Sequence, residues 1–389
     1  MRDLTRCVHY PSVSMEGFAS LAVPTHRAST IVYPDADSFA QRKSRGLDGY
    51  TYGLHGTPTT RTLEAQLTDL HEGVRTVLVP SGLAAITVVM LSVLVPGDNV
   101  LIPDTVYPPV RGFCHDYLRP RGISFKVYDP MLGAGVADFI DERTRLVWIE
   151  SPGSGTMEVQ DVPAIVNAAK TKGALVGCDN TWASPLLFKP LLHGADFAAE
   201  ALTKYVGGHS DLLLGSITVK DLALRQRLKD TLRMLGIGVS PDEAALALRG
   251  LQTMGVRLAH MGRVSEDFAR RLQSVPVVER VLHPALPSCP GHEFWTRDFK
   301  GSSAVFSIVL GKETEGWLPD ALSKLRVFGI GASWGGTHSL IAPMAIKAER
   351  TVVPWMPEGP VLRLSIGLED PDDLWTDLAT LLEPHRGGL

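Results

Sequence analysis

The sequence predicts an α/β protein, with a mostly parallel sheet in a large domain followed by a smaller α+β domain. Three observations carry this. Short runs rich in Val, Ile and Leu alternate with helical patterns between about residues 76 and 203, as in a sheet covered by helices on both faces. A long helical stretch, 241–274, then leads to a second set of strand and helix patterns. The 389 residues are long for one domain and comfortable for two. The division expected is an arm over residues 1–48, a large domain over 49–240, and a C-terminal domain over 241–389 that includes the long helix.

The arm carries Pro, Ser and charged residues with little sustained period. From Arg61 to Glu72 the spacing of Leu63, Leu67 and Leu70 is helical. Candidate strands follow at TVLVP (76–80), NVLIP (99–103), ISFKVYD (123–129), RLVWIES (145–151), ALVGCDN (174–180) and DFAAEALT (196–203), with helices from about Gly82, from about Pro108 and over Val162 to Thr171. Beyond the long helix come AVFSIVL (304–310), a helix near Leu318 to Leu325, VLRLSIG (361–367) and a terminal helix after Pro371. There is no internal repeat and no low-complexity segment.

A formal net charge of −4, from 38 basic and 42 acidic residues, gives no electrostatic case for nucleic acid or an anionic membrane. Four scattered cysteines without a CxxC pair argue against a disulfide frame or zinc site. The N-terminus lacks an apolar core of signal-peptide length, and no run approaches 18 apolar residues, so a soluble cytoplasmic protein is expected. GHEFW lacks the second histidine of HExxH, and Trp334 stands where GxGxxG needs its third glycine.

Ligands in such folds gather at the carboxyl ends of the strands, and three features meet there. Ser81-Gly82-Leu83 opens a helix, whose N–H groups could hold a phosphate. Asp179 ends ALVGCD, and Lys204 closes the next candidate strand, where loss of hydration favours its neutral, nucleophilic amine. Alone, each has an ordinary role as a turn, a cap or a solvated cation. Together, a phosphate cradle, a carboxylate for a protonated pyridine nitrogen and a lysine for a Schiff base are the parts that pyridoxal 5′-phosphate requires.

DNTWASPLLFKPLLHGAD followed by ALTKYVGGHSDLLLG resembles the cofactor signature of the cysteine and methionine metabolism family of pyridoxal-phosphate enzymes. The likeness extends to YTYGLHGTPTT (50–60), ESPGSGTMEVQDVPAI (150–165), HPALP (283–287), GHEFWTRDFKGSS (291–303), GASWGGTHSL (331–340) and RLSIGLEDPDDL (363–374), and so spans most of the chain. It implies an aspartate-aminotransferase-like architecture of fold type I with a seven-stranded, mostly parallel sheet. It also implies roles. Lys204 carries the cofactor as a Schiff base, Asp179 faces the ring nitrogen, and Tyr107 stacks on the ring and moves protons. Thr203 joins Gly82 and Leu83 at the phosphate, Tyr52 reaches the phosphate and substrate from a neighbouring subunit, and Arg363 binds the substrate α-carboxylate with Ser333 and Trp334 lining the same pocket.

One departure stands out. Many relatives read Tyr-x-Arg where this chain has Tyr52-Gly53-Leu54 followed by His55, and a neutral imidazole is a weaker phosphate partner than a guanidinium. Looser cofactor retention is therefore expected. Trp334 in SWGG and the ESPGSG block resemble the β-lyase branch, which implies β-elimination of L-cystathionine, or of other cysteine S-conjugates, to a thiol, pyruvate and ammonia. In methionine synthesis the thiol would be homocysteine. The alternatives are γ-synthase or γ-lyase chemistry on the same machinery, or a noncatalytic regulator on this fold. Sharing of the site across a dimer, within a dimer or tetramer, is part of the same implication.

Overall fold

The computed structural model describes residues 2–8 and 13–383. Strands β1 (Arg75–Val79), β2 (Asn99–Pro103), β3 (Ser124–Tyr128), β4 (Thr144–Glu150), β5 (Leu175–Asp179), β6 (Phe197–Glu200) and β7 (Gly215–Val219) form one sheet in the order β1-β7-β6-β5-β4-β2-β3. Pairing is parallel from β6 through β5, β4 and β2 to β3, and antiparallel where β7 lies between β1 and β6. The expected seven-stranded, mostly parallel sheet is thus present.

Burial on both faces explains why the inner strands are mostly apolar. Leu101, Val147, Ile149, Val176 and Cys178 enter the core on one face, while Val100, Ile102, Leu146, Trp148 and Phe197 enter the core on the other. Trp148 and Gly177 are register partners on β4 and β5. The Trp148 ring takes the space of a side chain there, since a Cβ on Gly177 would stand 2.3 Å from it.

The helix Pro58–Leu70 begins at Thr57, which forms a reciprocal capping box with Thr60, and buries Leu63 and Leu67. The helix Gly82–Val93 is apolar on most sides and packs between the sheet and the amphipathic helix Leu222–Leu235. The 32-residue helix Pro241–Leu272 joins two cores. Its first half packs in the core below the large sheet, and Val264, Phe268 and Leu272 pack in a second core.

That second core lies on a five-stranded sheet of β8 (Val278–Leu282), β9 (Val305–Leu310), β10 (Gly329–Ile330), β11 (Leu340–Met344) and β12 (Val361–Ser365), ordered β10-β11-β12-β9-β8. In the arm, the short helices Asp3–Val8 and Ala36–Ala40 bury no residue, and Phe18, Leu21 and Val32 are exposed. Among the described residues no helix is long and apolar enough to cross a membrane.

One strand boundary corrects the sequence expectation. The run 196–203 is a strand only from Phe197 to Glu200. The chain turns at Ala201, whose N–H meets the Thr181 hydroxyl at 2.9 Å, while the Lys204 N–H meets the Ala201 carbonyl at 3.1 Å. Lys204 stands in that turn, not on a strand tip.

Candidate active site

The large sheet reverses its winding between β2 and β4, so the chain leaving each of these strands diverges and opens a crevice at their carboxyl ends. A cavity of about 260 Å³ lies there, lined by Ser81, Gly82, Leu83, Tyr107, Glu150, Asp179, Thr203, Lys204, Trp334 and Arg363 among others. The small sheet closes it from the opposite side through Arg363 on β12 and the segment between β10 and β11.

One end of the cavity is the start of the helix Gly82–Val93. Ser81 caps it, its hydroxyl accepting from Ala84 N–H at 3.1 Å. A Cβ on Gly82 would stand 2.4 Å from that of Ala201, so only glycine lets the helix start close against the Thr203–Lys204 turn. Thr203 is at hand, but its hydroxyl exchanges hydrogen bonds with Leu214, donating to the carbonyl at 3.2 Å and accepting from the N–H at 3.1 Å.

Asp179, at the end of β5, accepts at Oδ1 from the Thr181 N–H at 2.9 Å and the Thr181 hydroxyl at 2.5 Å. That leaves Oδ2 free of them. Burial raises the carboxyl above its usual range, against the Thr181 hydrogen bonds. Its register partner on β4 is Glu150, which the sequence reading did not single out. Glu150 accepts the Tyr107 N–H at 2.7 Å, and burial, then the Asp179 charge, raises it well above an ordinary carboxyl. Its only sequence signal was a strand-end position equivalent to that of Asp179. Tyr107, 43% exposed, follows the end of β2, and burial, then Glu150, pushes its phenol up.

Lys204 donates from Nζ to the Ser333 hydroxyl at 2.7 Å, and Nζ lies 5.2 Å from the centre of a Trp334 ring. Burial, assisted by the nearby Arg363, pushes the amine down to about 8. Its turn is held from both sides. The Tyr205 carbonyl accepts from Arg257 of the long helix at 2.8 Å, and the Tyr205 hydroxyl accepts from the Ala304 N–H at 3.0 Å. Arg363 donates to the carbonyls of Ala332 and Ser333, and no ion pair to a carboxylate is formed among the described residues. Its charge is available to a ligand.

Lys204, Tyr107, Asp179, Gly82, Leu83, Thr203, Ser333, Trp334 and Arg363 are therefore brought together. Tyr52 is not. It is 48% exposed and packs edge-on against His55 at 6.3 Å. His55 lines a separate cavity of about 380 Å³, where burial, then Lys229 and Arg233, lowers its pKa and makes it a poor cation. Leu54, in place of the expected arginine, packs toward Gly238.

The residues present fit pyridoxal phosphate in kind: a helix N-terminus opened by glycine, a partly buried carboxylate with one oxygen outside the Thr181 hydrogen bonds, and a lysine whose amine is lowered to about 8. Among the described residues no group of three or more His, Cys, Asp or Glu could hold a metal ion.

The chain is similar to known proteins along most of its length. The chain is 40% identical over 359 residues to the cystathionine β-lyase MetC of Escherichia coli strain K12, covering 90% of this chain and 91% of that protein. It is 39% identical over 371 residues to the cystathionine β-lyase of Bordetella avium, covering 94% and 93%. The crystal structure of cystathionine γ-synthase from Xanthomonas oryzae pv. oryzae, in complex with aminoacrylate and cysteine, matches with a TM-score of 0.85 at 31% identity, covering 94% of each chain. The family model for Cys/Met metabolism PLP-dependent enzymes matches residues 4–383, and the chain belongs to that family.

Proposed function

We propose that the protein is a carbon–sulfur lyase that cleaves L-cystathionine at Cβ, with water, to homocysteine, pyruvate and ammonia. The observation that carries this reading is the placement of Lys204, its amine lowered to about 8, between the Asp179 end of the cavity and Arg363, in a chain about 40% identical to proteins named cystathionine β-lyase. Lys204 is the amine to which the aldehyde of pyridoxal phosphate would be joined, the start of the helix Gly82–Val93 would take its phosphate, and Asp179 would keep its ring nitrogen protonated. The bound cofactor supplies an electron sink that makes the Cα–H bond acidic.

The remaining work falls to the chain. Arg363 takes the α-carboxylate in its planar fork. Lys204, as a neutral amine, would remove the Cα proton. A proton from Lys204 or Tyr107 then reaches the departing sulfur. The Tyr107 phenol, held protonated by burial, is suited to donation. Ser333, in hydrogen-bond contact with Lys204, orients the amine.

The γ-acting reading has support from the similarity to a solved γ-synthase. Trp334 beside Lys204, in a segment that resembles the β-lyase branch, favours cleavage at Cβ. Sharing of the site between subunits, with Tyr52 supplied by a neighbour in a dimer or tetramer, and a cytoplasmic location belong to the same proposal.

The test is product analysis with purified protein, pyridoxal phosphate and L-cystathionine. Pyruvate with homocysteine is expected. Predominant 2-oxobutyrate with cysteine would move the protein to γ-cleavage and remove the role given to Trp334.

A further inference from the structure

The connection between β11 and β12 of the small sheet, residues 345–360, packs beside the cavity against loops of the large sheet. At its middle the Asp104 side chain, with no exposed surface, gathers donors from that connection. It accepts from the N–H groups of Thr351 at 3.0 Å, Val352 at 3.0 Å and Val353 at 2.8 Å, and from the Thr351 hydroxyl at 3.0 Å. Arg111 completes the cluster, with one nitrogen 2.9 Å from Asp104 and another 2.7 Å from the Thr351 hydroxyl.

Asp104 begins the turn that ends at Tyr107, directly after β2. A second tie binds the same connection to the other loop of the cavity floor. Arg350 donates to Glu158 at 2.6 Å and to the Thr156 hydroxyl, and Ile346 packs against Gly155 so closely that a Cβ there would stand 2.8 Å away. The two loops are stitched to each other, since the Ser154 N–H meets the Thr105 carbonyl at 2.9 Å. The connection then runs into β12, where Arg363 is the third residue.

We propose that Asp104 is a positioning residue for the substrate-carboxylate site: by holding Thr351–Val353 against the turn that carries Tyr107, it sets the distance between Arg363 and the reacting groups. The inference rests on Arg363 as the carboxylate site. A carboxylate that accepts several backbone N–H groups is held in its charged form, and hydrogen bonding to Val353, Arg111 and Thr351 outweighs burial to keep this carboxyl below its ordinary range. An amide in its place turns an NH₂ toward N–H donors. The latch would loosen, while the helix start at Gly82, Asp179 and Lys204, which Asp104 does not touch, would keep the cofactor.

The test is steady-state kinetics of the cofactor-saturated enzyme with Asp104→Asn, Thr351→Val, Arg363→Lys and Glu358→Gln, with cofactor affinity measured separately by absorbance titration. For Asp104→Asn a rise in KM of about 10-fold is expected, with kcat and cofactor affinity within about 3-fold of the parent. Thr351→Val removes one hydroxyl and keeps every backbone donor. It should raise KM about 3-fold, and it serves as the decisive variant if Asp104→Asn does not fold. Glu358→Gln breaks only the exposed pair with Lys312 near the end of the same connection and should change nothing.

An unchanged KM in both latch variants, with Arg363→Lys raising it, overturns the latch and spares Arg363. Arg363→Lys without effect on KM overturns both. A parallel fall of kcat, affinity for substrate and cofactor affinity in Asp104→Asn would mark Asp104 as scaffold and also overturn the proposal.

Discussion

The amine of Lys204, on the turn after β6, donates its 2.7 Å hydrogen bond to the hydroxyl of Ser333, on the segment between β10 and β11. The proposed nucleophile is therefore oriented by the opposite side of the cleft. Replacing Lys204 by Ala removes nucleophile and base together, so turnover should fall by at least about 1,000-fold. Thermal stability should stay near that of the parent, because the turn is held by the Tyr205 contacts and not by the amine. Turnover retained without an added amine would sink the mechanism.

Burial holds the Lys204 amine near 8, below the ordinary lysine value of about 10.4. The neutral fraction grows as pH rises through that value. Uptake of pyridoxal phosphate by the cofactor-free protein should therefore quicken by about 10-fold per pH unit below 8 and level off above it. Stopped-flow absorbance from pH 6.5 to 9.5 measures this. A flat profile, or one still climbing at pH 9.5, would contradict the environment assigned to Lys204.

Glu150 holds the Tyr107 N–H, and its raised carboxyl makes Gln a close mimic. Glu150→Gln should keep turnover within about 3-fold, whereas Glu150→Ala, which loses the acceptor, should lower it about 10-fold. If Glu150 acts through Tyr107, the Ala change adds nothing in a Tyr107→Ala background, and a double-mutant cycle reads the coupling directly. Independent, additive losses would reject that link.

Gly82→Ala sets a methyl against Ala201. The helix must withdraw from the Thr203–Lys204 turn, at a cost of about 1–3 kcal/mol in stability. Cofactor affinity should drop by about 10-fold or more as the N–H groups retreat, since they fix the phosphate by position as well as by dipole. Denaturant melts and cofactor titration measure the two effects. An alanine variant with parental affinity would show that the phosphate sits elsewhere.

How much of this is visible in sequence depends on distance along the chain. β1, β2, β4 and β5 are legible because burial on both faces makes most of each an apolar run, and the edge strand β3 because Phe125, Val127 and Tyr128 flank Lys126. FAAEALT reads as one strand through Thr203, and nothing local reveals that the Thr181 hydroxyl ends it at Glu200. No element is assigned from sequence between residues 205 and 240. The helix Leu222–Leu235 lies there with Leu224, Leu228 and Leu232 buried, masked by the charged residues between them. β7, only five residues long, is missed too. Lys204, Asp179 and Arg363 are found because short motifs surround them. Asp104 is not, for its backbone partners at Thr351–Val353 lie at least 247 residues away and a lone Asp after a strand resembles any turn cap.

The contact between Trp148 and Gly177 lies one step below the Glu150 and Asp179 pair, on the same face of the same two strands. An indole on one strand and a bare backbone on the other amount to a single shared volume. Neither residue can be exchanged freely alone: a side chain at 177 needs a smaller ring at 148, and a smaller ring at 148 leaves a void beneath the two carboxylates until 177 grows. Among descendants of this sequence the two positions should change together or not at all, and a sequence in which only one has changed should carry a displaced Asp179 as the mark of it.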